Sequence, residues 1–176
     1  MTPEAVDHEL PAEEKRHHVL SVLVENKAGV LSRVAGLFSR RGFNIFSLAV
    51  APTDDSHRFS RITIVVDAAS APLEQIVNQL DKLINVVEIS HVNEHQVVER
   101  ELLLASITVP TDQMATAISL CANFDAEVVD AGAGEITVML ADHPDKINAF
   151  QELLSGYTVD QLHRTGLVAL PKLITQ

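Results

Sequence analysis

The sequence predicts an α+β protein made of two tandem ferredoxin-like βαββαβ units, and three observations predict it. Over residues 17–92 the apolar spacing runs strand, helix, strand, strand, helix, strand. The same order recurs from 101 to 163 with little residue identity. Between the two repeats, Asn93-Glu94-His95-Gln96-Val97-Val98-Glu99-Arg100 is polar and reads as a linker. The chain thus divides into a tail (1–16), a first unit (17–92), a linker (93–100) and a second unit (101–176), which suits a length of 176 residues.

The first strand is the apolar run 17–25. In the helix expected over 29–41, Val30, Leu31, Val34, Leu37 and Phe38 fall on one face. Arg40 and Arg41 complement the negative end of its dipole, and Gly42 is placed to take the left-handed conformation just past the helix. Strands are expected over 43–52 and 59–67, joined by the turn Pro52-Thr53-Asp54-Asp55-Ser56. In the second of them Ile62, Ile64 and Val66 alternate with Arg61, Thr63 and Val65, as a half-covered sheet requires. A helix follows over 71–83, with Ser70 as its N-cap, Pro72 in its first turn, and Leu73, Ile76, Val77 and Leu80 as its stripe. Strand 86–92 closes the unit.

In the second unit the expected elements are strand 101–109, helix 111–122, strands 125–130 and 135–141, helix 142–154 and strand 157–163. Thr111 and Asp142 are the expected N-caps, and Ala131-Gly132-Ala133-Gly134 links two strands. A short strand, 167–170, follows Gly166.

Composition restricts function. Apolar residues make up 47% and aromatics 4%, so the cores are aliphatic. Thirteen basic against 24 acidic residues give a net charge of -11, which disfavours nucleic acid and anionic membrane surfaces. The single cysteine, Cys121, excludes an internal disulfide, suits a reducing cytosol, and lies in an apolar helical pattern as a buried structural thiol. No apolar stretch approaches the roughly 20 residues that span a bilayer. Residues 1–16 are acidic to mixed, carry Pro3 and Pro11, and read as a disordered tail and not a secretory signal.

The most informative segment is Glu25-Asn26-Lys27-Ala28-Gly29-Val30-Leu31, a tight strand-to-helix turn. The opening of such a helix points backbone N–H groups outward, where they can hold a small carboxylate. Gly29 lacks the Cβ that would obstruct close approach. Asn26 and Asn44 can offer amide oxygens to an ammonium group, and Val30, Leu31 and Ile45 suit an aliphatic side chain. Taken singly, Asn26 and Gly29 are equally well explained as turn formers and Asn44 as a strand-end cap. The turn contains no nucleophile, general acid or metal ligand. The matching position of the second unit, Val109-Pro110-Thr111-Asp112, has an acidic side chain that would repel a carboxylate, so only the first unit is expected to bind one.

The segment from Leu20 to Leu48, with Glu25-Asn26-Lys27-Ala28-Gly29-Val30-Leu31 followed by Ser39-Arg40-Arg41-Gly42-Phe43-Asn44-Ile45, closely resembles the family of small regulatory subunits of acetolactate synthase (acetohydroxyacid synthase). Val50-Ala51-Pro52-Thr53-Asp54-Asp55, Phe59-Ser60-Arg61-Ile62-Thr63-Ile64 and Val98-Glu99-Arg100-Glu101-Leu102 continue the match. The resemblance is dense over about 17–105 and implies that the first unit is an ACT domain, a class of amino-acid-sensing module. It further implies a cytoplasmic, non-catalytic subunit that activates a large catalytic subunit and confers feedback inhibition by valine. This chain would bind no cofactor; thiamine diphosphate, Mg and FAD belong to the catalytic partner. The effector would lie between ACT domains of a homodimer, with Asn26, Ala28, Gly29, Val30 and Leu31 on one chain and Asn44 and Ile45 from the other. The residues admit valine, leucine or isoleucine alike, since one methylene of burial is worth only about 0.8 kcal/mol.

Other constellations read more plainly. No cysteine or carboxylate completes a plausible metal set near His17-His18 or His91-x-x-x-His95, which sit at strand or linker ends, so solvated histidines are expected. Arg33, Arg40, Arg41, Arg58 and Arg61 form a local basic cluster, by default a solvated surface and otherwise a contact for the catalytic subunit. Asp142-His143-Pro144-Asp145 fits a helix start. An ACT-type transcriptional regulator is the competing reading, against which stands the lack of a helix-turn-helix or basic arm before the unit. A small hydrolase or metalloenzyme is disfavoured because no nucleophile, base and orienting group occur together.

Overall fold

The structure, a computed structural model, describes residues 17–67, 72–92 and 97–173. The tail 1–16, Ser70, His95 and residues 93–96 of the expected linker lie outside these. In the first unit the elements are β1 (His17–Glu25), α1 (Val30–Arg41), β2 (Ile45–Pro52), β3 (Phe59–Asp67), α2 (Leu73–Leu80) and β4 (Val86–Val92). They form an antiparallel sheet of order β2-β3-β1-β4. The second unit has β5 (Val97–Thr108), α3 (Met114–Asn123), β6 (Glu127–Ala131), β7 (Glu135–Asp142), α4 (Pro144–Leu154), β8 (Thr158–Arg164) and β9 (Val168–Pro171). Its sheet runs β6-β7-β5-β8, and β9 pairs with the leading residues of β5. The two units share the split βαβ order that the periodicity predicts.

Each sheet turns one face to its helices. Leu20, Val22 and Val24 of β1 and Ile62, Ile64 and Val66 of β3 pack against Val34, Leu37 and Phe38 of α1 and Ile76 and Leu80 of α2. The second core repeats this with Leu103, Ala105 and Ile107, Ile136, Val138 and Leu140, and Ile147, Phe150 and Leu154. Full burial of an aliphatic side chain contributes about 1.5–3 kcal/mol, so these period-two and helical stripes hold each unit together. Cys121 is buried in the second core, and burial pushes its thiol pKa up.

Several local expectations hold. Gly42 has φ 70, and its N–H donates to Phe38 O and Ser39 O. The turn Ala131–Gly134 is closed by Gly132 N–H donating to Glu135 O at 2.8 Å. Three expectations need correction. Residues 97–100, expected within a linker, are strand: β5 begins at Val97, and Val97–Arg100 pair with 168–171. Val97 is buried against Val19, Val65, Leu167 and Ala169, whereas Val98 is exposed. Thr111 caps nothing; residues 111–113 form a 3-10 turn before α3. Asp142 remains the last residue of β7, and the cap of α4 is His143, whose Nδ1 accepts from Asp145 N–H at 3.3 Å, with Pro144 at the first helical position. Asp142 instead accepts from His143 N–H at 2.7 Å and pairs with Lys146 at 2.9 Å.

The two units also meet. On the face of the first sheet opposite its helices, Val19 and Val65 join Val97, Leu167 and Ala169 in a small apolar cluster. Leu167 N–H donates to Ser47 Oγ at 2.9 Å beside it.

Candidate functional site

The turn after β1 is held from three sides. Glu25 N–H donates to Asn85 O and Asn26 N–H to Arg58 O, each at 2.9 Å. The Asn26 side chain donates through Nδ2 to His57 O at 2.9 Å. Because a carbonyl only accepts, the amino group of the carboxamide must face His57, which leaves Oδ1 of Asn26 as an acceptor on the exposed side. His57 supports this geometry from a left-handed backbone, φ 51, a region that Asn, Asp and His tolerate better than most residues.

Gly29 precedes α1 with φ 83 and ψ −4, and no side chain caps the helix. A Cβ at this position would meet nothing in the chain within 4 Å, so the glycine answers to its backbone conformation and the space above it is open. Val30 N–H donates to Lys27 O at 3.2 Å, whereas among the described residues those of Ala28, Gly29, Leu31 and Ser32 find no protein acceptor. Four outward donors beside an uncapped helix start form a cradle for a small anion.

The side chains divide differently from the sequence expectation. Val30 is 5% exposed and belongs to the core, so neither its side chain nor its N–H faces the open space. Leu31 is 45% exposed beside the cradle. Asn44 and Ile45 are remote from it within the chain: Ile45 pairs with Val66, which pairs with His18, while Glu25 pairs with Phe59. Seven residues of strand separate the two levels, about 23 Å at the usual rise of about 3.3 Å per residue. One chain therefore brings Asn26, Ala28, Gly29 and Leu31 together and leaves Asn44 and Ile45 at the other end of the sheet.

Asn85 is the residue that sequence reasoning missed. It is 8% exposed, donates through Nδ2 to Glu25 Oε2 at 2.7 Å and accepts from Arg33 at 2.7 Å, tying β1, α1 and the α2–β4 connection together beneath the cradle. Lys27 bonds the same carboxylate oxygen at 2.9 Å. The bonds from Lys27 and Asn85 hold the Glu25 carboxyl below its ordinary pKa, and they offset a negative charge that would oppose a bound carboxylate. An asparagine in a helix-to-strand connection is an ordinary turn residue, so nothing in the sequence distinguished it.

The remaining constellations disperse. The arginines do not share one face: Arg33 and Arg41 lie on α1 and bond Asn85 and Gln79, whereas Arg61 lies on the opposite face of the sheet and bonds Ser21. The His18 and His91 rings lie 6.0 Å apart, and among the described residues no three His, Cys, Asp or Glu side chains are grouped to hold a metal ion. No helix among them is long and apolar enough to cross a membrane.

Comparison with known proteins gives this geometry a context. Residues 20–88 match a family model described as an AHAS small subunit-like ACT domain, and residues 100–173 match one described as the small subunit of acetolactate synthase. The acetolactate synthase small subunit of Mycolicibacterium smegmatis is 43% identical over 155 residues, which cover 88% of this chain and 91% of that protein. The chain belongs to the acetolactate synthase small-subunit family. The acetolactate synthase small subunit of Mycobacterium bovis is likewise 43% identical, over 88% of this chain and 92% of its own length. The crystal structure of the acetolactate synthase small subunit from Thermotoga maritima matches with a TM-score of 0.84 at 33% identity, covering 91% of this chain and 99% of that one. As an acetolactate synthase small subunit, the protein is a regulatory chain of branched-chain amino-acid synthesis whose catalytic partner is the large subunit.

Proposed function

We propose that this small subunit senses a free branched-chain amino acid, valine first among them, at the start of α1, and does so as a homodimer. The observation that carries the reading is the separation of Asn26–Leu31 from Asn44–Ile45. β2 is an outer strand of the first sheet, and at its far end Pro52 pairs with Ser60, which pairs with Val24. If β2 of two chains runs antiparallel across a two-fold axis, the start of one β2 lies beside the end of the other. Asn44 and Ile45 of one protomer then come to the Asn26–Gly29 end of its partner. Phe46 and Val50, 65% and 44% exposed on β2, and Leu31 on α1 supply apolar surface for that contact.

The ligand fits part by part. Its carboxylate takes the N–H groups of Ala28, Gly29 and Leu31, its ammonium the oxygens of Asn26 and of Asn44 across the axis, and its side chain Leu31 and Ile45. Occupancy favours the dimer arrangement that supports catalysis poorly, and its leverage is bounded by the difference in affinity for the two arrangements, about 1–3 kcal/mol in typical cases. The thiamine diphosphate, Mg and FAD stay with the large subunit, and the complex works in the cytosol.

The test is synthase turnover by the large subunit with and without this protein across a valine titration. Turnover should rise on adding the protein and fall again as valine increases. Turnover that rises and stays unmoved by millimolar valine would remove the sensing role while keeping the regulatory one.

A further inference from the structure

We propose that Ser47 and the Gly166–Leu167 segment form the joint through which the effector site moves the C-terminal unit. The inference rests on the effector reading above and adds the route by which occupancy leaves the ACT domain. Ser47 lies three residues after Asn44, on the strand assigned to the partner's ligand. The register of β2 against β3 slips between Ile45 and Ser47, a bulge that leaves Phe46 65% exposed and aims Ser47 away from the first core.

The contact has no slack. Ser47 Oγ accepts from Leu167 N–H at 2.9 Å. A Cβ on Gly166 would lie 2.5 Å from the same Oγ and force the Ser47 hydroxyl aside, and Gly166 has φ +81, a backbone conformation that favours glycine. Leu167 is 7% exposed and continues into the Val19, Val65, Val97, Ala169 cluster, the apolar seam between the units. Any displacement of β2 at Ser47 is therefore delivered to the segment that leads into β9. Because β9 pairs with the start of β5, the central strand of the second sheet follows.

The joint lies in the wall of an open cleft. The cleft, of about 750 Å³, runs from Ser47, Gly166 and Leu167 outward between His17 and Phe46 of the first unit and Asn148 and Arg164 of the second. On its border Arg164 pairs with Glu101 at 2.6 Å, and His143 Nε2 lies 3.6 Å from Glu99. A tight contact at the base of an open cleft leaves room for one unit to rock on the other about it.

The experiment compares the full-length wild-type chain with Ser47→Ala and Gly166→Ala, each assembled with the catalytic subunit. Valine binding is read by thermal shift, and coupling by maximal inhibition and by valine-dependent hydrogen exchange of peptides covering 165–171. Ser47→Ala should bind valine within about threefold of wild type and still activate. Its valine-induced change at 165–171 should vanish, and the coupling factor should drop roughly two- to tenfold, the worth of one neutral hydrogen bond. Gly166→Ala, which wedges the joint instead of cutting it, should lose coupling in the same way. Full inhibition and unchanged exchange in both variants overturn the joint alone. Loss of valine binding in both also overturns it, because Ser47 then shapes the site and transmits nothing. A wild-type chain with no valine-induced shift overturns the effector reading, and the joint with it.

Discussion

Gly29 meets two separate demands, and substitution can separate them. Its φ of 83 is unfavourable for any side chain, so Gly29→Ala should cost about 1–2 kcal/mol in urea unfolding although the new Cβ touches nothing. Gly29→Asp adds a negative charge among the outward N–H groups, and should abolish the valine-induced rise in Tm while leaving activation of the large subunit intact. Loss of activation as well would show damage to the fold instead of the ligand site. Asn26→Ala removes both the tether to His57 and the acceptor oxygen. Losing a hydrogen bond to a charged group costs about 1.5–3 kcal/mol, so calorimetry should find valine bound roughly ten- to a hundredfold more weakly. At this scale the sequence was readable where one residue type has a conformational reason, as at Gly29 and Gly42. It was unreadable at Asn85, whose importance comes from Glu25 and Arg33, residues distant in sequence.

Among the elements, α4 offers a test by pH. The bonds from Lys146 and from His143 N–H hold Asp142 below its ordinary pKa, and the bonds to Asp142 and Asp125 hold Lys146 above its own. A lowered carboxylate stabilises the fold above its unfolded-state pKa and loses that contribution as pH falls through the folded value. A raised lysine stabilises below its unfolded-state pKa and loses its contribution as pH rises through the folded value. The pair is therefore fully effective between about pH 5 and pH 9, inside the ordinary carboxylate and lysine values. Asp142→Asn should lower the urea midpoint at pH 7, and the gap from wild type should close as the solution is acidified toward pH 2. A gap that stays constant with pH would show that shape and not charge is at work. The elements themselves were legible because their stripes are local: Leu20, Val22 and Val24 alternate within one strand, and Val34, Leu37 and Phe38 repeat within one helix. The start of β5 was not, because Val97–Arg100 become a strand only through β9, about seventy residues onward.

For the whole molecule, the two-unit plan was readable as a repeated order of elements, whereas the seam between the units was not. Val19, Val65, Val97, Leu167 and Ala169 are drawn from four elements and one connecting segment, and no window of sequence contains their pattern. Effector binding to the folded state should stabilise it by about 2.7 kcal/mol at a hundredfold excess over Kd, so Tm should climb with valine and level off only slowly. A Tm independent of valine concentration would contradict this.

In the proposed homodimer each effector site draws Asn26–Leu31 from one chain and Asn44 from the other. Mixing Gly29→Asp chains with Asn44→Ala chains tests it directly. Each variant alone spoils both sites of its homodimer and should bind no valine at low concentration. In the mixed dimer one site carries both lesions and the other carries neither, so calorimetry should recover wild-type affinity at one valine per heterodimer. Binding that stays absent after the chains have exchanged would rule out a site shared between the two chains in this way.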